Sequence, residues 1–116
     1  MKAIKLVVAT LSLSLASWAL AGGDLEKGKN LVEKANCAEC HGKDYNTPKD
    51  NLTPRLAGQH ADYLEHALLA YKRGSNGANG RGNATMVQKV GELSKDDFKH
   101  IAAYLSSLQG SLVLKK

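Results

Sequence analysis

The chain has little of what most small extracellular or nucleic-acid-binding proteins rely on. Among 116 residues there are two cysteines, two prolines, one Trp, four Tyr and one Phe. Two cysteines are too few for the disulfide framework that staples a small secreted domain. Two prolines exclude a Pro-rich or collagenous chain. So few aromatics leave a core short of its bulkiest material. No block of five or six like charges occurs and no aromatic ladder runs between basic residues, so the formal charge of +5 does not point to nucleic acid. Strict alternation of apolar and polar residues is also missing; the ambiguous stretch Leu112-Val113-Leu114 is the nearest to a strand. No internal repeat is evident. What is there, 43% hydrophobic and 23% charged residues in 12.4 kDa, suits one folded domain.

Residues 1–21 read as an address. Lys2 and Lys5 form a short positive start, Leu6 to Leu20 carries no charge, and Ala19-Leu20-Ala21 places small residues where a signal peptidase reads them. The expectation is a secretory signal peptide cleaved before Gly22, export to the periplasm, and a single domain over 22–116. The uncharged stretch falls short of the roughly 18–20 residues of a membrane span, so no stable membrane insertion is expected after cleavage. Cleavage would remove two lysines and no acid, leaving 14 basic against 11 acidic side chains. It would also remove Trp18 and Met1, so that Met86 becomes the sole methionine. A chain of this size buries only about 60–65% of its unfolded surface, and with so few aromatics it needs something further in its core.

Three stretches have helical periodicity. About 25–36, Leu25, Leu31, Val32 and Ala35 share a stripe with Gly28, and Asp24 is placed to cap the first turn. About 60–73, Ala61, Leu64, Ala67, Leu68 and Tyr71 recur at three- and four-residue steps, with Lys72, Arg73 and then Gly74 at the end. About 95–108, Phe98, Ile101, Ala102, Leu105 and Leu108 form the apolar face behind Ser94 and Asp97, a capping box with Asp in place of Glu. Residues 42–59 hold both prolines and no period. Residues 74–85 hold four glycines and three asparagines and read as loop, with a short turn or helix at 86–90. The fold class is therefore all-α, with three main helices and long loops.

The chemistry lies in Cys37-Ala38-Glu39-Cys40-His41, the C-x-x-C-H sequence of c-type haem attachment. Two thiols at this spacing reach the two vinyl groups of one haem, and the next residue presents an imidazole to the iron. A redox dithiol normally follows a strand rather than a helical pattern. A zinc site wants a second ligand pair; there is no second pair of cysteines, and among the histidines only His60 and His66 come close to one. A plain disulfide is the remaining rival. For the sixth iron position the candidates are Met86, His60, His66 and His100. Met86 lies past the glycine-rich run, reads as part of a polar loop and belongs to no apolar stripe, which favours it as a ligand over core filler. The three histidines sit among polar neighbours in helical stretches and read as solvated or capped.

These pieces together resemble class I cytochromes c, in particular the small bacterial c553/c4-like group. The likeness runs through Cys37–His41, Pro54-Arg55-Leu56-Ala57-Gly58-Gln59, Tyr63-Leu64, Ala70-Tyr71, Met86, Leu93-Ser94 and Ile101-Ala102-Ala103-Tyr104-Leu105. It implies a single cytochrome c domain wrapped around one covalent haem c, held by Cys37 and Cys40 with His41 and Met86 on the iron. It implies that Gly28 and Tyr104 mark a crossing of the first and last helices, that the Pro54 carbonyl accepts a hydrogen bond from His41, and that Arg55 and Gln59 contact haem propionates. One C-x-x-C-H makes the chain monohaem. The implied role is a non-enzymatic, soluble periplasmic electron carrier whose partners are a quinol-oxidising complex and a terminal oxidase or reductase. Lysines such as Lys43, Lys49 and Lys89 would steer the encounter. The alternatives are a cytochrome subunit held by a periplasmic dehydrogenase, and a haem sensor or peroxidase with an open sixth position.

Overall fold

Five helices in the order α1 (Leu25–Lys34), α2 (Ala38–His41), α3 (Ala61–Arg73), α4 (Ala84–Gly91) and α5 (Lys95–Ser107) make up the computed structural model, which describes residues 22–111. The expected signal peptide and the Leu112-Val113-Leu114 stretch lie outside the described residues. Among the described residues there is no strand, and no helix is long and apolar enough to cross a membrane. The three main helices are α1, α3 and α5, as the periodicity predicts; α2 and α4 are the short additions.

Local chemistry sets the helix ends. Asp24 caps α1, its carboxylate accepting from the Lys27 amide at 3.0 Å. That bond is the chief reason the Asp24 carboxyl sits below the ordinary range. The capping box of α5 is complete: the Asp97 amide donates to the Ser94 hydroxyl at 3.1 Å, and the Ser94 amide donates to the Asp97 carboxylate at 2.9 Å. Helix α3 ends on Gly74, whose amide donates to the carbonyls of Ala70 and Tyr71. The periodicity carries the first helix to 36, but α1 stops at Lys34. Asn36 takes a left-handed φ of 54°, its amide donates to the Glu33 carbonyl, and the Cys37 amide donates to Val32. This paired closure is the Schellman motif, with Asn doing what Gly more often does. It turns the chain so that Cys37 comes directly after the helix.

The core forms where α5 meets α1 on one side and α3 on the other. Val32 of α1, Leu64 of α3, and Ile101, Ala102 and Leu105 of α5 are buried together with Tyr45 and Ala57 from the intervening loop. Phe98 is fully buried, a contribution of about 1.5–3 kcal/mol relative to leaving it in water. Tyr45 and Tyr104 meet edge to face, with ring centroids 6.3 Å apart. Helix α1 approaches α5 so closely at Gly28 that a Cβ there would run into the His100 carbonyl, and would stand 2.7 Å from the Tyr104 Cβ. The glycine is the condition for the crossing, and its cost inside a helix is offset by the contact it permits. His100 adds a polar tie at the same junction, its Nδ1 accepting from the Asp24 amide at 2.8 Å.

Gly28→Ala is expected to lower stability by about 2–3 kcal/mol in urea denaturation, because backbone rather than a movable side chain blocks the new methyl. Lys29→Ala, on the exposed side of the same turn, should stay within about 0.5 kcal/mol of the parent. Equal effects at the two positions would show that α1 does not depend on this crossing.

Candidate functional site

A cavity of about 290 Å³ opens between α2 and α4, floored by the core. Cys37, Cys40 and His41 line it from one direction and Met86 from another. Leu68 of α3 with Ile101 and Leu105 of α5 supply apolar wall, so two helices that make the core also make the pocket.

The thiol side is built by the Asn36 turn. Cys37 is the N-cap of α2, a single turn in which Cys40 and His41 both bond back to the Cys37 carbonyl. Both thiols are free and half-buried. Burial is the main influence raising the Cys37 thiol above its ordinary range, only partly opposed by the charge of Lys89. Gly42 ends α2 with a φ of 88°, where a side chain would also meet the Thr47 carbonyl.

His41 is the buried polar side chain of the described core, 6% exposed. Its Nδ1 donates to the Pro54 carbonyl at 2.8 Å. That bond fixes the tautomer and the ring, and leaves Nε2 with its lone pair free for a metal. The Pro54 segment is held in turn by Tyr45. Tyr45 takes a left-handed φ of 56°, and its carbonyl accepts from the amides of Leu56 and Ala57 at 2.8 and 2.9 Å. The ring of Tyr45 is buried, which pushes its hydroxyl up to about 12, with burial the leading cause.

Met86 lies not in a polar loop but in the first turn of α4. Asn83 caps that helix, its side-chain oxygen accepting from the Met86 amide at 3.1 Å. The run of glycine and asparagine before it masks the helix start in the sequence; Asn83, within the stretch that reads as loop, is the signal. Of the four sixth-ligand candidates, Met86 alone shares the cavity with His41. His60 and His66 are exposed, and His100 is occupied at the α1–α5 junction. Arg55 donates to the Ser111 hydroxyl at 3.4 Å and Gln59 accepts from the His60 amide, so both are engaged away from the cavity lining. Lys49 and Lys89 line the mouth, whereas Lys43 does not. Lys89 pairs with Glu39 at 3.9 Å, linking α4 to α2, an exposed contact of little energetic weight.

The donor set fits a c-type haem. Two unpaired thiols with two residues between them, an imidazole with one nitrogen engaged and one free, a thioether and apolar walls match what that group requires. Neither a disulfide nor a metal cluster of three or more His, Cys, Asp or Glu side chains is present among the described residues.

Comparison with known proteins agrees with this geometry. A family model described as cytochrome c matches residues 25–109. The chain is 42% identical over 111 residues to cytochrome c4 of Stutzerimonas stutzeri, covering 92% of this chain and 51% of that protein. It is 36% identical over 110 residues to cytochrome c4 of Pseudomonas aeruginosa, covering 92% and 49%. It is also 36% identical over 86 residues to cytochrome c-554(548) of Halomonas halodenitrificans, covering 73% and 96%. The chain thus spans about half the length of the two c4 proteins and nearly the whole of the third. The crystal structure of reduced recombinant cytochrome c4 from Pseudomonas stutzeri aligns with a TM-score of 0.67 at 40% identity, over 77% of this chain and 47% of that one.

Tyr45 gives the site an alkaline limit. Its neutral form is favoured in the folded chain, so the unfolded chain ionises first. The stability this contributes is complete below pH 10 and is lost as the pH rises through about 12. Urea midpoints measured from pH 9 to pH 12 should fall, and Tyr45→Phe should flatten the fall. A slope unchanged by that substitution would assign the alkaline loss to another group.

Proposed function

The chain belongs to the cytochrome c family, with one haem c held covalently by Cys37 and Cys40, and from this we infer that it is a soluble periplasmic one-electron carrier. In this reading residues 1–21 are a signal peptide, residues 22–116 are the working domain, and His41 and Met86 are the axial ligands. The observation that carries it is the meeting of His41 and Met86 in one cavity with both thiols, while the other three histidines stay outside. Bound haem supplies a ferric/ferrous couple.

The chain's own residues do the rest. His41, with Nδ1 anchored on the Pro54 carbonyl, would hold the iron through Nε2. The anchor raises the basicity of the ring and keeps it from turning between redox states. Met86 contributes a soft thioether, which favours the ferrous state and raises the potential. Leu68, Ile101 and Leu105 keep water from the cavity wall, so the extra positive charge of the ferric state is further disfavoured. If His41 and Met86 both held the iron, no position on it would be open to substrate, which would suit a carrier rather than an enzyme. Lys49 and Lys89 place positive charge at the mouth and suit an acidic docking face on a quinol-oxidising complex, an oxidase or a reductase. The large apolar side chains left exposed among the described residues are Leu25, Leu52 and Tyr63, each on a different segment. Scattered residues of this kind favour brief encounters over permanent attachment to a dehydrogenase.

Met86→Ala tests the ligand set. The variant should lose the far-red sulfur-to-iron band, take up carbon monoxide in the ferrous state and shift to a lower potential. A band that survives the substitution would assign the sixth position to another residue. Mass spectrometry of the exported protein should find a chain beginning at Gly22 with one haem. A colourless product with both thiols free would end the proposal.

A further inference from the structure

We propose that Arg81 and Lys72 are positioning residues for the sixth ligand: they clasp both ends of α4 to α3 and so set how readily Met86 leaves its place in the cavity. This rests on the reading of Met86 as an axial ligand.

Helix α4 is poorly provided with other anchors. It has eight residues and buries Val90 alone. It packs chiefly on α3, while α1 and α3 both pack on α5. The loop that leads into it, residues 74–83, carries four glycines, whose backbone freedom does little to fix the position of α4. Apolar burial of one valine does not hold a ligand-bearing helix against that freedom; polar contacts to α3 make up the difference.

At the leading end, Arg81 precedes the Asn83 cap by two residues. Its guanidinium lies 5.9 Å from the ring centre of Tyr63 and 5.6 Å from that of Tyr71, both on α3. Its Nη2 donates to the Tyr63 hydroxyl at 3.5 Å, and its backbone amide donates to the Ala70 carbonyl at 2.9 Å. Tyr71 also lines the cavity, so the stack touches the wall of the haem site. At the trailing end, the Lys72 ammonium donates to the carbonyls of Gly91 at 2.7 Å and Leu93 at 2.6 Å, with Val90 at 3.5 Å. Gly91 is the last residue of α4, and its carbonyl is one that a helix C-terminus leaves without a partner at its negative end; Leu93 lies two residues beyond it. Tyr71 and Lys72 are adjacent in α3, so one turn of that helix grips α4 before its start and after its finish. The Lys89–Glu39 pair adds little, being exposed.

The test uses the holoprotein and two readouts. Lys72→Met and Arg81→Gln should each speed carbon monoxide uptake by the ferrous form about tenfold, the equivalent of losing one charged hydrogen bond or cation–π contact. In urea, the far-red band of the ferric form should vanish before the helical circular dichroism in both variants. Lys72→Arg should restore the parent behaviour. Arg81→Lys should restore it only in part, because an ammonium keeps the charge but not the planar stack. Asp24→Ala weakens the α1 cap, outside the cavity lining, and should lower the urea midpoint without speeding uptake. Should Arg81→Gln fail to fold, Tyr63→Leu removes one stacking face outside the cavity lining and carries the same expectation. Uptake at the parent rate in the clasp variants, or a rise with Asp24→Ala as large as theirs, overturns the proposal. Met86→Ala separates the two levels: if it abolishes the band while the clasp variants behave as the parent does, only the clasps are refuted, and if the band survives it, the ligand reading falls first.

Discussion

The core of this protein closes around a gap that its own side chains do not fill. Ile101 and Leu105 serve two neighbours at once, packing into the buried cluster on one side and walling the cavity on the other. A chain with one Phe and four Tyr has little bulk to spare, and protein interiors tolerate few voids larger than a water molecule. The dependence between ring and fold is therefore mutual. The crossing of α1 and α5 at Gly28 seats α5, whose Ile101 and Leu105 line the cavity, and a covalently held macrocycle supplies the contacts that aromatic side chains supply elsewhere. The same apolar wall that completes the core also keeps the iron in a medium of low dielectric.

How much of this is legible in the sequence depends on the range over which each feature is encoded. Caps are readable because their partners lie three residues apart: Asp24 with Lys27, and Ser94 with Asp97. The C-x-x-C-H sequence is readable because attachment and first ligand share one turn of backbone. The apolar period carries α1 two residues too far, because nothing in it announces that Asn36 will turn left-handed. Helix α4 is hard to tell from a loop with a short turn because glycine and asparagine dominate the run before it, although Asn83 is a good cap. Lys72 looks like the last turn of its own helix and serves the end of another. No local pattern reports a contact made nineteen or more residues away, and the same holds for the engagement of Arg55 with Ser111.

The two proposed ligands, His41 and Met86, are held by different kinds of structure. His41 is fixed by short loops of chain: the Asn36 turn behind it, the Gly42 turn after it, and the Pro54 carbonyl beneath its ring. That carbonyl adjoins a strained segment in which Tyr45 adopts a conformation uncommon for a side-chain-bearing residue and shares its carbonyl between two amides. Strain of this sort persists only where surroundings fix it, and the burial of the Tyr45 ring against Tyr104 does so. Met86, by contrast, rides on a helix attached to the rest through α3.

That asymmetry has a physical reason. A one-electron carrier works best when its ligands move little between oxidation states, which asks for rigid supports on both faces. Histidine can be anchored through its second nitrogen, so a single backbone carbonyl steadies it. A methionine thioether has no second donor to anchor and turns about three side-chain bonds. Its orientation must come from the backbone that carries it. Fixing that backbone with apolar burial would need core material that this chain lacks, and it would place bulk where the ring must lie. Cations drawn onto tyrosine faces and helix-end carbonyls act from the outside and leave the cavity clear. Through Tyr63, Tyr71 and Lys72 they tie the methionine to α3, a helix that packs against α5, and α5 in turn is seated on α1 by the crossing at Gly28.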